Sequence, residues 1–266
     1  MNRPGTGTPA AVALAAAAIA AQIAYPLTDG RARDLVTVLV VVLLAAAALT
    51  HAASTRGLRW AGLLLLATAG IGLASEIVGT ATGIPYGCYS YASDRLGPTI
   101  AGVPLVVPFA WTAGFYPVWC VASRIARSRS AGAALTVVGV VGWDLYLDAQ
   151  MVADGQWWWC VTDAGLPGID HIPLTNYLGW VVVATVMVLV MEAVDSNVGP
   201  RTSATPARDT VPVVLFLWTW LGSALAHSVF LDPPELLYSA VYGLAVMGVL
   251  GIPLLRQILP RRTNER

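Results

Sequence analysis

Apolar residues along this chain fall in long blocks broken by short polar stretches, not in the short alternating runs of half-buried strands. Blocks of about 20 apolar residues match the helix length needed to cross a hydrocarbon core of roughly 30 Å. The pattern predicts eight such helices, at about 9–26, 34–53, 58–79, 103–122, 131–148, 177–194, 211–231 and 235–258. The expected fold class is all-α, a polytopic transmembrane helix bundle forming one integral-membrane domain over residues 1–266 of a multi-pass protein of the cell membrane. The first block is the weakest. Residues 11–21 are mostly alanine and, after Arg3, could pass for the apolar region of a signal peptide. Seven helices is therefore the fallback, and retention of the first is preferred because no clean cleavage signal follows. A polar linker over 196–209 precedes the last two blocks. These blocks meet at the tight Asp232-Pro233-Pro234-Glu235 turn and are expected to form a hairpin over about 211–258 that packs and walls a substrate.

Composition supports the membrane assignment: 57% of residues are hydrophobic and 11% charged, against about 25% charged in ordinary globular domains. Charge placement then sets orientation. With both termini cytoplasmic, the inner segments hold Arg3, Arg56, Arg59, Arg124, Arg127, Arg129, Arg201, Arg208, Arg256, Arg261, Arg262 and Arg266. The outer loops hold Arg31, Arg33 and Arg95. Twelve against three is a strong positive-inside bias. Zero net charge and the lack of a basic loop patch beyond the inner arginines argue against nucleic acid as a partner.

A charge near the bilayer centre costs roughly 3 kcal/mol on insertion scales, so acids inside apolar blocks need a reason. Glu76 closes the third block and Asp144 and Asp148 the fifth, while His227 closes the seventh and Glu235 opens the eighth. The arginine-based topology puts all five towards the outer face, which suggests one polar site beneath the loops at about 80–102 and 149–176. Loops longer than about 12 residues are often functional.

Asp144 and Asp148 are four apart, so on a helix they share a face with roughly 5–6 Å between Cβ atoms. Two close carboxylates in a low-dielectric site resist double ionisation, which leaves one protonated as a general acid. The structural alternative is that they pair with tyrosine hydroxyls or cap backbone. Tyr86, Tyr89 and Tyr91 line a pocket beside Glu76 or belong to an interfacial aromatic belt. Trp157, Trp158 and Trp159 anchor the loop at headgroup level or present π-faces to a cation, and position favours anchoring for at least one. His51 and His171 show no metal spacing, and His227 could join the site or simply pack. Cys88 and Cys160 both fall on outer loops and could pair, and Cys120 stands apart. Gly70-Ile71-Gly72 imitates half a dinucleotide fingerprint but lacks the third glycine and lies inside a span. No metal or cofactor is implied.

Over about 60–195, several motifs follow one another in order. Ser75-Glu76…Gly79…Thr82-Gly83-Ile84-Pro85-Tyr86-Gly87…Tyr89…Tyr91 comes first, then Leu96-Gly97-Pro98…Gly102-Val103-Pro104…Pro108…Trp111. Asp144…Asp148…Gly155…Trp157…Trp159 and Asn176…Gly179-Trp180 complete it. This succession resembles the carotenoid biosynthesis membrane-protein family, whose members include hydratases of acyclic carotenoid chain ends, those of the bacterioruberin pathway among them. The resemblance implies addition of water to a terminal trisubstituted double bond, giving a tertiary alcohol, with a lipid-soluble carotenoid as substrate, no cofactor, and membrane lipid and other carotenoid-pathway enzymes as neighbours. On that reading Asp144 or Asp148 donates the proton and Glu76 orients or deprotonates water, or the order is reversed. Tyr86, Tyr89, Tyr91, Trp111, Trp157, Trp159 and Trp180 would bind the substrate and shield the cation, with Asn176 as hydrogen-bonding support. In that family a proline commonly follows the second aspartate. Ala149 stands there in this chain, so the helix end is expected to be shaped differently. Two other classes stay open: a transporter or proton-coupled permease, and a non-catalytic scaffold for other pathway enzymes. Against the transporter, the acids cluster at one face and no inverted repeat is evident.

Overall fold

The computed structural model describes residues 7–162, 164–198, 209–232 and 234–259. Arg3, Arg201, Arg208, Arg261, Arg262 and Arg266, most of the 196–209 linker and Pro233 of the last turn lie outside them. Among the described residues, eight helical rods follow in order: α1 (Gly7–Ala24), α2 (Gly30–Arg56), α3 (Leu58–Thr82), α4 (Val107–Ile125), α5 (Arg129–Ala153), α6 (Leu174–Val198), α7 (Thr210–Phe230) and α8 (Glu235–Ile258). The chain is an all-α bundle with little sheet, and seven of these helices are long and apolar enough to cross a membrane.

The helix outside that seven is α4, not α1, so a count of seven has a different origin from the fallback above. Thr112, Trp111, Tyr116, Pro117 and Trp119 lower the apolar character of α4, and all of them are buried. It packs against α2, α3, α5 and α7, so neighbouring protein, more than lipid, is its surroundings. Helices α6 and α8 lie along α5, and α1 lies along α2.

Local chemistry sets the helix ends. Gly83, at φ +78°, turns the chain out of α3, and the Ser128 hydroxyl accepts from the Ala131 N–H at 3.2 Å to cap α5. Helix α5 does not stop at 148, as its apolar block predicts, but runs to Ala153. Ala149 keeps the backbone donor that a proline would remove, so Asp148 sits inside the helix and not at its end. Wide π-type turns occur at Leu66–Gly70 in α3 and at Trp218–Gly222 and Ala226–Phe230 in α7.

The outer connections carry short strands that a purely helical reading misses. β1 (Tyr89–Tyr91) pairs antiparallel with β4 (Trp157–Trp159), setting Tyr89 opposite Trp159 and Tyr91 opposite Trp157. β2 (Thr99–Ile100) pairs with β3 (Val103–Pro104), which is why α4 starts at Val107 instead of near 103. β5 (Gly165–Leu166) pairs with β6 (Ile169–Pro173). Beside the β1–β4 ribbon, the Cys160 N–H donates to the Cys88 carbonyl at 2.7 Å and a Cys88–Cys160 disulfide joins the two loops across 72 residues. Cys88→Ser is expected to cost about 2–4 kcal/mol of stability. Thermal melts of the detergent-purified protein, followed by tryptophan fluorescence, would show the loss, and reductant would reproduce it in the parent protein.

All three outer arginines are engaged in this region. Arg95 Nη2 lies 2.7 Å from Asp34 Oδ1 at the start of α2, and Arg33 Nη1 lies 3.2 Å from Asp154 Oδ1 just past α5. Gln156 Nε2 donates to both acids, at 2.8 and 2.9 Å, and Arg31 Nη1 donates to the Asp94 carbonyl at 3.2 Å. These charge-assisted bonds tie α2, the first loop and the end of α5 into one rim. Asp34 and Asp154 belong to that rim and stand apart from the buried carboxylates of the bundle.

Candidate functional site

Glu76 lies on α3 and is buried. Its Oε2 accepts from the Tyr89 hydroxyl at 2.5 Å and the Tyr91 hydroxyl at 2.8 Å, and its Oε1 accepts from Trp111 Nε1 at 3.2 Å. Both tyrosines reach it because they sit two apart on β1, where alternate side chains face the same way. The same alternation on β4 turns Trp157 and Trp159 inward, each 9% exposed, and leaves Trp158 49% exposed as the outward-facing member of the triplet. Burial, with the Glu76 carboxylate next, pushes the Tyr89 and Tyr91 phenols well above their ordinary range, so both remain protonated donors. Three donors therefore hold Glu76 as a hydrogen-bond acceptor.

Across the site, α5 presents Asp144 and Asp148 on one face and α6 brings Asn176 to both. Asn176 Nδ2 donates to Asp144 Oδ2 at 3.2 Å and also to Asp148 Oδ2. The two aspartates differ in access: Asp148 lines a cavity of about 190 Å³, whereas Asp144 is fully buried behind it. Glu76, Asn176 and every aromatic candidate line the same cavity.

The aromatic wall is interlocked. Trp111 stacks on Trp180 with centroids 3.9 Å apart, and Trp143 meets Trp180 edge-on at 5.7 Å. Tyr91 meets Trp157 at 5.6 Å and Tyr86 meets Tyr89 at 5.9 Å, both edge-on. The Tyr86 hydroxyl bonds Ser75 Oγ at 2.8 Å, and the Tyr86 carbonyl accepts from Trp159 Nε1 at 3.3 Å and Thr175 Oγ1 at 3.2 Å. Its ring sits between Gly79 and Gly179. A Cβ on Gly79 would fall 2.9 Å from Tyr86 Cδ2, and one on Gly179 would fall 2.6 Å from Tyr86 Cδ1. Close approach of this ring at Gly179, and of both this ring and the Tyr89 hydroxyl at Gly79, where a Cβ would fall 2.7 Å from that oxygen, is the physical reason for glycine at the two motif positions.

Neither of the other two polar residues at this depth lines the cavity, and His227 takes the packed alternative. His227 packs between helices, with Nδ1 3.0 Å from Ser239 Oγ, Nε2 3.1 Å from Gln150 Oε1 and its ring edge-on to Tyr146. Glu235, at the start of α8, is outside the cavity wall. Gln22, Gln150, Trp143 and Trp218 also line the cavity, and motif reasoning passes over all four. Gln22 carries a usable signal as a lone amide in an alanine-rich span. Among the described residues, no set of three or more His, Cys, Asp or Glu side chains is placed to hold a metal ion.

The chemistry on offer is asymmetric. A carboxylate fixed as an acceptor faces a pair of carboxyls that share one amide donor, inside an apolar chamber whose π-faces suit a transient positive charge.

A family model described as carotenoid biosynthesis protein matches residues 36–250, extending beyond the motif-bearing stretch into α2, α7 and α8. The bisanhydrobacterioruberin hydratase of Haloarcula japonica is 32% identical over 142 residues, which is 50% of this chain and 45% of that protein. The chain thus covers just under half of that relative's length. No solved structure matches the chain. With four-fifths of its length inside the family match, and the matched span holding Glu76, Asp144, Asp148 and Asn176, the chain belongs to the carotenoid biosynthesis protein family.

Proposed function

We propose that the protein hydrates a terminal carbon–carbon double bond of an acyclic carotenoid without a cofactor. One observation carries the reading: Asp148 and Glu76 line the same aromatic-walled cavity in different settings, Glu76 held by three hydrogen-bond donors and Asp148 paired with Asp144 through the single amide of Asn176. The aspartate pair holds the proton, and Asp148 delivers it to the less substituted alkene carbon, so the π bond is consumed and a tertiary carbocation forms. Trp111, Trp157, Trp180 and the tyrosines shelter that cation. Water then adds its oxygen to the cationic carbon and passes a proton to Glu76. Return of that proton to Asp148 resets the site with net addition of one water. Asp144, behind Asp148 and joined to it through Asn176, acts as a positioning residue.

The site belongs at the outer face of the cell membrane in this reading. The Cys88–Cys160 disulfide sits over it, which suits an oxidising compartment, and the twelve-to-three arginine bias points the same way. Partners are then the carotenoid itself, bilayer lipid and the enzymes that supply and consume it.

The test is expression in a bacterium that accumulates acyclic carotenoids, with the pigment extract read by liquid chromatography and mass spectrometry. The expected result is a product heavier by one water per modified end. An unchanged pigment profile across several acyclic substrates would remove the hydratase reading and favour a transporter or scaffold.

A further inference from the structure

The cavity is too small for the whole substrate. At about 190 Å³ it falls below the roughly 300–1,000 Å³ of pockets that enclose drug-sized ligands, whereas an acyclic carotenoid is about as long as the membrane core is thick. Only a chain end fits beside Glu76 and Asp148, so the polyene has to leave through a wall. Away from the carboxylates that wall is built from Gln22 of α1, Val41 and Leu44 of α2, and Trp218, Thr219 and Gly222 of α7.

The seam between α1 and α7 is closed unevenly. At one end, Ala11 and Ala15 of α1 pack with Ala47 of α2 and Val211 and Leu215 of α7. Further along, the Trp218 indole N–H donates to Gln22 Oε1 at 2.9 Å. There α7 widens into its Trp218–Gly222 π-type turn, and the bare Cα of Gly222 lies under the Trp218 ring, where a Cβ would come within 3.3 Å. Ile23, Leu221 and Leu225 on the two helices are about half exposed, as expected where the seam borders lipid. Among the described residues, the side-chain hydrogen bond that joins these two helices is this Trp218–Gln22 latch.

We propose that the α1–α7 seam, latched by Trp218 and Gln22, is the subsite through which the conjugated chain passes from lipid into the cavity. The identity of the ligand as an acyclic carotenoid rests on the function proposed above; the position of the opening does not. The flat apolar polyene lies against the Trp218 indole, and Gly222 leaves the room it needs.

The test uses the full chain purified in detergent from cells that accumulate acyclic carotenoid. Gly222→Leu is expected to lower the copurifying pigment about tenfold while leaving binding of a short acyclic isoprenoid with the same end group within about twofold. Asp148→Asn, which leaves the seam alone, keeps its pigment. Wild-type pigment retention by Gly222→Leu would overturn the proposal, as would equal loss of long and short ligands in both Gly222→Leu and Thr219→Leu. Pigment that binds the parent protein without gaining water would sink the hydratase reading and leave the seam standing.

Discussion

Asp148→Asn is expected to lower hydration by roughly 10²–10⁴-fold while the protein still folds and binds pigment. The substitution nearly preserves shape. The introduced amide can turn its carbonyl oxygen to the Asn176 side chain that now donates to Asp148, so the hydrogen bond survives and the transferable proton is lost. Asp144→Asn is expected to cost much less, about tenfold, because Asp144 does not reach the cavity and acts through Asn176 and its neighbour. Initial rates in detergent or vesicles, with pigment retention measured in parallel, separate the two. If Asp144→Asn removes activity and Asp148→Asn does not, the acid has been assigned to the wrong aspartate. Wild-type turnover by both variants would put the acid elsewhere.

Glu76→Gln should reduce turnover by about 10²-fold or more and also destabilise the site by about 1–3 kcal/mol. The surroundings of Glu76 are arranged for an acceptor on both oxygens. If the glutamine carbonyl faces Trp111, its amide N–H groups meet the Tyr89 and Tyr91 hydroxyls, which must turn away and find new acceptors. If it faces the tyrosines, its N–H groups meet the Trp111 indole N–H, which has nothing to accept with. Either orientation breaks a bond that the carboxylate satisfies, and neither supplies a base for water. Tyr91→Phe, which removes one donor without adding one, should restore part of the stability in the Glu76→Gln background and none of the activity. A double-mutant cycle on melting temperature and rate reads both. Full turnover by Glu76→Gln alone would end its role as base.

The motifs map well onto this site because each is local. Apolar block length fixes where the helices lie, since a span must satisfy its own backbone in lipid. The four-residue spacing of Asp144 and Asp148 puts them on one helical face. Glu76, as a charge in an apolar block, stands out by its insertion cost. His227 and Glu235 join the group by depth in the membrane alone, which leaves His227 open between the site and simple packing. Depth says nothing about which side of a helix a residue occupies or which helix lies opposite. In the fold His227 faces Ser239 and Gln150 instead of the cavity.

Length, periodicity and burial cost are properties of short segments, and they were enough to specify the membrane bundle, the family motifs and the residue types available for chemistry. How those residues are arranged around the cavity was decided by contacts between segments. Pairing of β1 with β4 brings two loops, some 70 residues apart along the chain, into register and so gives Glu76 its tyrosines. It also separates Trp158 from Trp157 and Trp159. Packing of α6 on α5 gives the aspartates a common amide donor and leaves Asp148, not Asp144, at the cavity surface. The seam between α1 and α7 joins side chains 196 residues apart along the chain, and although Gln22 stands out as a lone amide in its span, nothing in that segment names Trp218 as its partner. Such contacts depend on side-chain packing between distant elements, which no local pattern encodes.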